Sequence, residues 1–536
     1  YPLSKWHLYS EFDNGVPSGG RIETVRLFGL IAGFILLIAC INFMNLSTAR
    51  SERRAKEVGI RKVAGAGRGL LVGQFITEAF VLACIAGVLA FLVVELVLPY
   101  FNQLFQAKLS VPLASAGFWL CVAGFIMFTS LLAGSYPAFY LSAFKPASIF
   151  RKQFRKSHHV FAPRKVLVVL QFSFAIVLII STLVVRSQLR YIEDRSVGYD
   201  MKDLIYVNFA GDIGKNYGVI REELLSSGVA ESVTKTWEPI DYGGGRTWAL
   251  RWQGEEPKDT PTDIRLFSED QGLMKTAGMK LVAGRDIDIY HYPTDSLAML
   301  LNETAVKTMG FQNPIGQIIR DPYSKRAWHV VGVVKDYVVD VPWEKTPPVV
   351  IEGPASDFRS LAIRFAAGFA TAQGLAQAER IFKKYNPAYP FDYTFVDREF
   401  ATNFDDNRRT GEMMGIFASL AIFISCLGLF GLSAFVAESR VKEVGVRKVL
   451  GASAPGIARL LSMDFVRLVV VAMVIGAPVA WYAMNRWLAD YAYRISIGWG
   501  VFVFAGLLAV AIAVVTVSFQ AVSAAMVNPV RSLRSE

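Results

Sequence analysis

A fifteen-residue segment occurs twice in this chain, and this repeat constrains the architecture more than any other feature. Residues 52–66 read ERRAKEVGIRKVAGA, and residues 438–452 read ESRVKEVGVRKVLGA, an ungapped match at an offset of 386 residues. Eleven of the positions are identical, and each copy lies between two long apolar runs. A repeat at a fixed offset indicates a duplicated structural unit. We therefore expect two related modules in one chain.

The composition is typical of a membrane protein. Of the 536 residues, 53% are hydrophobic and only 19% are charged, and the mean hydropathy is +0.36. Apolar runs of about 20 residues are long enough to cross a hydrocarbon core of about 30 Å. The fold class predicted is a multi-pass α-helical membrane protein. Seven spans are predicted at 26–49, 72–99, 116–139, 166–187, 412–436, 460–484 and 499–526.

Basic residues concentrate in three of the loops between these spans. Residues 50–71 hold seven Lys and Arg against two acids, residues 140–165 hold seven against none, and residues 437–459 hold five against two. Because loops rich in Lys and Arg stay in the cytoplasm, the N-terminus is predicted outside and the C-terminus inside. The hydrophilic block 188–411 is then extracytoplasmic. This clustering also argues against nucleic acid as a partner, despite the net charge of +11.

The two modules are not equally complete in this chain. The second half reads as a span, a hydrophilic block and three spans, whereas the first half has only a short polar piece and three spans. We therefore expect a native protein of eight spans, with its first span and most of its first outer domain missing from this chain. The predicted domains are the end of an outer domain and stalk (1–25), a three-span module (26–139), a cytoplasmic linker (140–165), a span (166–187), an extracytoplasmic domain (188–411), a second three-span module (412–526) and a cytoplasmic tail (527–536).

The extracytoplasmic block has the pattern of an α+β domain. Short β-rich runs occur at 203–209, 329–339 and 361–366, a helical pattern covers 371–385, and turn residues separate them. His291 lacks the spaced His or carboxylate partners of a zinc site. Asp286, Asp288, Asp295 and Glu303 are interpreted as solvated surface carboxylates. No metal and no catalytic residue is predicted. The four cysteines lie in apolar runs and form no CxxC or Cys/His pair: Cys40, Cys84, Cys121 and Cys426.

Few polar features stand out within the spans. Glu78 and Asp464 are equivalent across the repeat, close to the basic loops. They are interpreted as helix-end acids that pair with loop Arg or Lys, with a proton relay as the alternative. Gly29 and Gly33 form a GxxxG pattern, and Gly29 is matched by Gly415. This pattern predicts close helix packing.

The repeated segment itself predicts a short amphipathic helix that ends at a glycine. Apolar Val58, Ile60 and Val63 alternate with charged residues before Gly65. An anchor on anionic lipid is one interpretation. However, an anchor needs only net charge, whereas both copies keep the same acids and glycines. A docking surface explains that identity better.

The motif E-x-x-x-K-E-[VI]-G-[IV]-R-K-x-x-G-A between two spans resembles the FtsX/MacB-type permease family of ATP-binding-cassette (ABC) transporters, in particular members with duplicated halves and eight spans. The segments at 282–289, 300–319 and 330–341 resemble the extracytoplasmic core domain of MacB-like permeases. The likeness covers nearly the whole chain except for the missing N-terminal part.

This resemblance implies a mechanotransmission permease of the bacterial inner membrane. A cytoplasmic ABC ATPase dimer would dock on the two loops and supply the energy, since the chain lacks GxxxxGK[ST] and is itself no enzyme. Membrane lipid and periplasmic or outer-membrane components are further candidate partners, and no cofactor is expected in this chain. A sensor or regulatory subunit of the same fold, a secondary transporter and a membrane enzyme are the alternatives. The residues implied in ATPase coupling are Glu57, Gly59, Arg61, Lys62, Gly65, Ala66, Glu443, Gly445, Arg447, Lys448, Gly451 and Ala452.

Overall fold

The computed structural model of the chain consists of two compact units. One unit contains Tyr1–Ser187, Arg409–Trp487 and Ser496–Glu536, and the other contains Gln188–Arg408 and Leu488–Ile495. We call the second unit the inter-span domain. The structure describes residues 2–6, 8–13, 16–142, 163–240, 242–255, 262–339, 341–367, 371–439 and 446–526.

The first half of the membrane unit begins with a short helix, α1 (Leu3–Trp6), and a hairpin of β1 (Glu11–Asp13) and β2 (Val16–Gly19). Four long helices follow: α2 (Arg21–Val63), α3 (Arg68–Phe105), α4 (Ala116–Ser142) and α5 (Pro163–Glu193). The prediction of a separate short helix in the first basic loop is wrong. The segment continues α2 without a break, because no residue between the apolar run and Gly65 interrupts helical hydrogen bonding.

The inter-span domain contains two sheets and five α-helices among the described residues. Its helices are α6 (Tyr217–Ser226), α7 (Leu273–Ala277), α8 (Glu303–Met309), α9 (Thr371–Tyr385) and α10 (Val396–Thr402). Its strands are β3 (Leu204–Asn208), β4 (Ala230–Thr236), β5 (Gly245–Thr247), β6 (Arg251–Trp252), β7 (Ile264–Ser268), β8 (Leu281–Gly284), β9 (Ala298–Asn302), β10 (Ile318–Asp321), β11 (Arg326–Val334), β12 (Val349–Glu352), β13 (Ser360–Phe365) and β14 (Thr394–Phe395). The α+β prediction is confirmed.

Each sheet has its own core. The antiparallel four-stranded sheet has the order β14-β3-β13-β4, and its apolar face packs on α6 and α9 through residues such as Ile205, Ile220 and Phe382. The mixed eight-stranded sheet has the order β5-β7-β12-β9-β11-β10-β6, with β8 added beside β11. Strand β9 is buried along its whole length, as expected for a strand covered on both faces.

Three further membrane helices complete the chain: α11 (Asp405–Ser439), α12 (Ala454–Leu488) and α13 (Trp499–Met526). Within the described residues, seven helices are long and apolar enough to cross a membrane, and they match the seven predicted spans. The prediction of close packing at the GxxxG pattern is wrong. A Cβ atom added at Gly29, Gly33 or Gly415 would meet nothing within 4 Å, whereas one at Gly428 or Gly431 would collide with α2.

Candidate functional site

The two copies of the repeated segment end in the same backbone structure. In the first copy the N–H of Gly65 donates to the C=O of Lys62 (3.1 Å), and the N–H of Ala66 donates to the C=O of Arg61 (2.9 Å). This pair of bonds is the Schellman motif, which satisfies carbonyl groups left unpaired at a helix C-terminus. Gly65 has φ 93°, a backbone conformation that is strained for residues with a side chain and readily adopted by glycine.

The second copy repeats these bonds at the equivalent residues. The N–H of Gly451 donates to the C=O of Lys448 (3.1 Å), and the N–H of Ala452 donates to the C=O of Arg447 (2.9 Å). Gly451 has φ 92°. The predicted glycine stop is therefore present in both copies. Glu443 and Gly445 fall in 440–445, which lies outside the described residues, as do the side chain of Glu57 and the surroundings of Gly59.

The first copy is held in place by one apolar residue and presents others to solvent. Val58 is 4% exposed and packs with Leu71, Phe75 and Ala138 of the neighbouring helices. Ile60 and Val63, in contrast, are 62% and 68% exposed. Ile60 and Val63 therefore form an exposed apolar surface beside the basic residues, because the packing contact of this helix is made on its other side, through Val58.

The second copy presents the equivalent surface. Val446 and Val449, which correspond to Ile60 and Val63, are 48% and 65% exposed. We call these four residues, together with Arg61, Lys62, Arg447 and Lys448, the coupling surface. It combines apolar area with cationic groups, a composition that suits a protein partner with acidic residues around an apolar pocket.

A polar chain links the first copy to the predicted helix-end acid. Arg61 Nη1 donates to Gln74 Oε1 (2.7 Å), and Gln74 Nε2 donates to Glu78 Oε1 at 3.4 Å. The residue equivalent to Gln74 in the second copy is Leu460, which cannot form this bridge. The interpretation of Glu78 and Asp464 as helix-end acids stays a prediction. The bridge supports it for Glu78.

A loop contact that sequence analysis missed lies in the inter-span domain. Residues 488–495, here called loop 488–495, run from the last residue of α12 into its connection with α13, and the buried side chain of Gln188 contacts them twice. Gln188 Nε2 donates to the C=O of Tyr493 (2.7 Å), and Gln188 Oε1 accepts from the N–H of Ile495 (2.9 Å). The guanidinium of Arg195 lies 3.3 Å from the centre of the Tyr493 ring. We call Gln188, Arg195 and Tyr493 the loop latch.

Two further bonds extend this contact. The N–H of Ala492 donates to the C=O of Trp343 (3.0 Å), and Arg195 Nη1 donates to the C=O of Pro342 (3.2 Å). Both Gln188 and Arg195 lie on or directly after α5. The loop between the last two spans is thus part of the inter-span domain and not only of the second three-span module. In the sequence, this contact is indicated only by a polar residue, Gln188, at the end of an apolar run.

The interpretation of Asp295 and Asp286 as solvated surface carboxylates is wrong. The Asp295 side chain is fully buried, and both its oxygens accept from Arg285. Burial raises the pKa of Asp286 to about 6. His291 does have a carboxylate partner, since its Nδ1 lies 2.6 Å from Asp288 Oδ2. Even so, no group of three His, Cys, Asp or Glu is arranged for a metal within the part of the chain that the structure describes.

The inter-span domain also buries acids that sequence analysis did not single out. Glu269 is 0% exposed, and its Oε2 accepts from the N–H of Leu273 (2.8 Å). Burial, together with the nearby Asp286, raises the pKa of Glu269 well above its usual range. Burial also raises the pKa of Glu352 to about 7. These carboxyls bind protons more tightly in the folded domain than in the unfolded chain.

The stability that these three carboxyls contribute to the inter-span domain is therefore expected to fall as pH rises. A raised folded-state pKa adds stability that is complete below the unfolded pKa of about 4 and is lost as pH rises through the folded pKa. For Asp286 and Glu352 the loss falls between about pH 4 and about pH 7, and the raised pKa of Glu269 acts in the same direction. Hydrogen exchange of β7 and β11 in the full chain, corrected for intrinsic rates, measures this slope. Glu269→Gln should flatten it, whereas Glu344→Gln, at an exposed acid, should not. Equal slopes in the wild type and Glu269→Gln would contradict the assignment.

Comparison with known proteins places both membrane modules in one family. The family model described as FtsX-like permease C-terminal matches residues 29–146 and 415–529. The chain is 39% identical over 70 residues to the uncharacterized ABC transporter permease YknZ of Bacillus subtilis, a match covering 13% of this chain and 18% of that protein. It is 39% identical over 72 residues to the macrolide export ATP-binding/permease protein MacB of Nitrobacter winogradskyi, covering 13% of this chain and 11% of that protein. The matches thus span less than a fifth of these relatives.

Two solved structures are similar to a part of this chain. The periplasmic region of MacB from Actinobacillus actinomycetemcomitans aligns with 40% of this chain and 97% of its own, at 16% identity and a TM-score of 0.29. The extracellular domain of the noncanonic ABC-type transporter YknZ aligns with 36% of this chain and 98% of its own, at 14% identity and a TM-score of 0.26. The chain thus contains two copies of the FtsX-like permease C-terminal domain, each holding one copy of the repeated segment.

Proposed function

We propose that this chain is the membrane subunit of a mechanotransmission ABC transporter of the bacterial inner membrane. A separate cytoplasmic ATPase dimer binds the coupling surface. Its ATP-driven closure moves the spans, and the inter-span domain, on the extracytoplasmic side, rearranges to export or release a substrate. The energy comes from the partner, because the chain has no GxxxxGK[ST] phosphate-binding loop.

The observation that carries this proposal is the matching pair of helix ends. Both copies stop at a glycine with φ near 92°, and both expose the same two apolar positions beside an Arg-Lys pair. A lipid anchor needs only positive charge, so it gives no reason for identical caps. A dimeric ATPase offers two equivalent sites, and two equivalent docking surfaces on one chain fit that symmetry.

The loop latch supplies a route from the spans to the inter-span domain. Loop 488–495 follows directly from α12 and leads into α13, it is hydrogen-bonded to Gln188 and Trp343, and its Tyr493 ring packs against the guanidinium of Arg195. A displacement of the loop therefore strains these contacts directly, because close-packed protein has low compressibility and transmits small movements.

Co-purification from the native membrane tests the proposal. The tagged full chain should recover an ATPase with a GxxxxGK[ST] loop, identified by mass spectrometry, in near-stoichiometric amount. Addition of ATP should change protease sensitivity within the inter-span domain. Recovery of a histidine kinase without an ATPase would favour the sensor alternative, and an intact chain that recovers neither would contradict the docking role.

A further inference from the structure

The two modules contact each other through helices that are repeat equivalents. At the offset of 386 residues, α2 aligns with α11 without a gap, with Gly29 on Gly415, Cys40 on Cys426 and Leu46 on Leu432. Phe28 of α2 and Phe417 of α11 lie with ring centres 5.6 Å apart. The shared buried cluster contains Ile31, Ile35 and Ile38 from α2 and Ala418 and Ala421 from α11.

One contact joins a residue to its own repeat equivalent. Asn42 aligns with Gly428, and a Cβ atom added at Gly428 would collide with the Asn42 side chain. A residue that touches its own equivalent lies at the axis that relates the two copies. Asn42 Nδ2 also donates to the C=O of Ile424 (2.5 Å), one helical turn before Gly428. The amide reaches this backbone because glycine leaves no side chain over it.

At several positions of the seam between the helices, the residue on α2 is larger than its repeat equivalent on α11. Three equivalent pairs show the same order: Ile35 with Ala421, Asn42 with Gly428, and Asn45 with Gly431. Ile35, Asn42 and Asn45 are all at least nine-tenths buried. The side chain of Leu46 fills the space over Gly431, so that a Cβ atom there would also collide. Successive pairs are spaced by seven and three residues, as on one face of packed helices.

We infer that the two modules pair in one direction only: at these positions α2 supplies the large side chains and α11 supplies the space, so that neither two α2 helices nor two α11 helices can form this interface. Two α2 helices meeting in this geometry would bring Asn42 against Asn42 in a space that admits one side chain. Two α11 helices would leave Gly428 facing Gly428 with a void. Overpacking and voids both destabilise a tight interface.

The hydrogen bond from Asn42 makes the pairing specific in register as well. Within a bilayer, an interhelical bond from an amide to a backbone carbonyl has no water to replace it, so a shift along the helix costs the bond. A single buried asparagine is also a known means of setting register in paired helices. The pairing of α2 with α11 is therefore specific both in partner and in register.

Exchange of the two side chains across the axis tests this inference on the full chain. Gly428→Asn should lower the midpoint of thermal unfolding in detergent by about 5 °C or more, because two asparagines then compete for one space. Asn42→Gly should lower it by less. The double variant Asn42→Gly/Gly428→Asn rebuilds the pair from the opposite side and should recover at least half of the loss seen in Gly428→Asn.

Gly415→Asn is the matched control, since it adds the same side chain to the same helix at a position with nothing within 4 Å. It should shift the midpoint little. If the unfolding midpoint of the double variant falls by as much as those of the two single variants added together, the axis assignment is wrong. If Gly415→Asn destabilises as much as Gly428→Asn, the effect belongs to the added polar group and not to the seam, which also overturns the inference.

Disulfide trapping distinguishes pairing of α2 with α11 from pairing of α2 with α2. With the native cysteines replaced by alanine, Leu46→Cys and Gly431→Cys in one chain should form a disulfide. When Leu46→Cys alone is placed on two differently tagged chains in one membrane, no disulfide between the two α2 helices should form. An α2–α2 product at comparable yield would show that two large faces can pair, contrary to the inference.

Discussion

Replacing Ile60 and Val446 by aspartate in the same chain is expected to weaken ATPase binding strongly while leaving the permease folded. Both side chains are exposed at equivalent positions of the coupling surface. Truncation of a well-placed interface residue costs about 2 kcal/mol, and a buried charge costs at least as much. The double variant should therefore bind the ATPase roughly a thousandfold more weakly. Affinity measured with the reconstituted ATPase, and ATP hydrolysis stimulated by the permease, check this result.

The matched control is Leu109→Asp, in the loop between α3 and α4. Leu109 is 54% exposed and is predicted to lie on the opposite side of the membrane from the coupling surface. This variant should bind the ATPase as the wild type does. Binding that survives in the Ile60→Asp/Val446→Asp chain would leave the lipid anchor as the explanation of the repeated segment. An equal loss of ATPase binding in Leu109→Asp would indicate general damage to the fold.

Gln188→Leu is expected to release loop 488–495 from the inter-span domain without affecting ATPase docking. Leucine fills the space of Gln188 but leaves the C=O of Tyr493 and the N–H of Ile495 without their partner. An unpaired, partly buried group costs about 1–3 kcal/mol. Hydrogen-exchange protection of the loop should therefore fall by roughly 30-fold.

The functional consequence of this substitution separates docking from transmission. ATPase affinity should stay at the wild-type value, whereas the ATP-dependent change in protease sensitivity of the inter-span domain should be lost. Gln253→Leu, at an exposed glutamine of the same domain, is the control and should change neither quantity. A loop that stays protected in Gln188→Leu would show that Arg195 and Trp343 hold it without the amide. A released loop with unchanged coupling would remove the latch from the transmission route.

The sequence by itself determined the parts of this protein that depend on near neighbours along the chain. Apolar runs located the seven spans because spanning length is a local property. The glycines at 65 and 451 indicated where two helices end, since only glycine readily adopts the positive φ observed there. The pattern at 371–385 located helix α9 with its observed bounds.

Only the tertiary structure decided which residues meet across long separations. Gln188 and Tyr493 are 305 residues apart, and Asn42 and Ile424 are 382 apart. Neither partner carries a local signal of the other. Asp295 was misinterpreted for the same reason. Its burial depends on Arg285 and on strands that pack over it, which lie at a distance along the chain. Gly29 and Gly33 share the spacing of a packing motif, but no described residue lies within 4 Å of a Cβ atom added at either, whereas one added at Gly428 meets Asn42. Spacing identifies which residues share a helix face, and the packing of other helices decides which faces are covered.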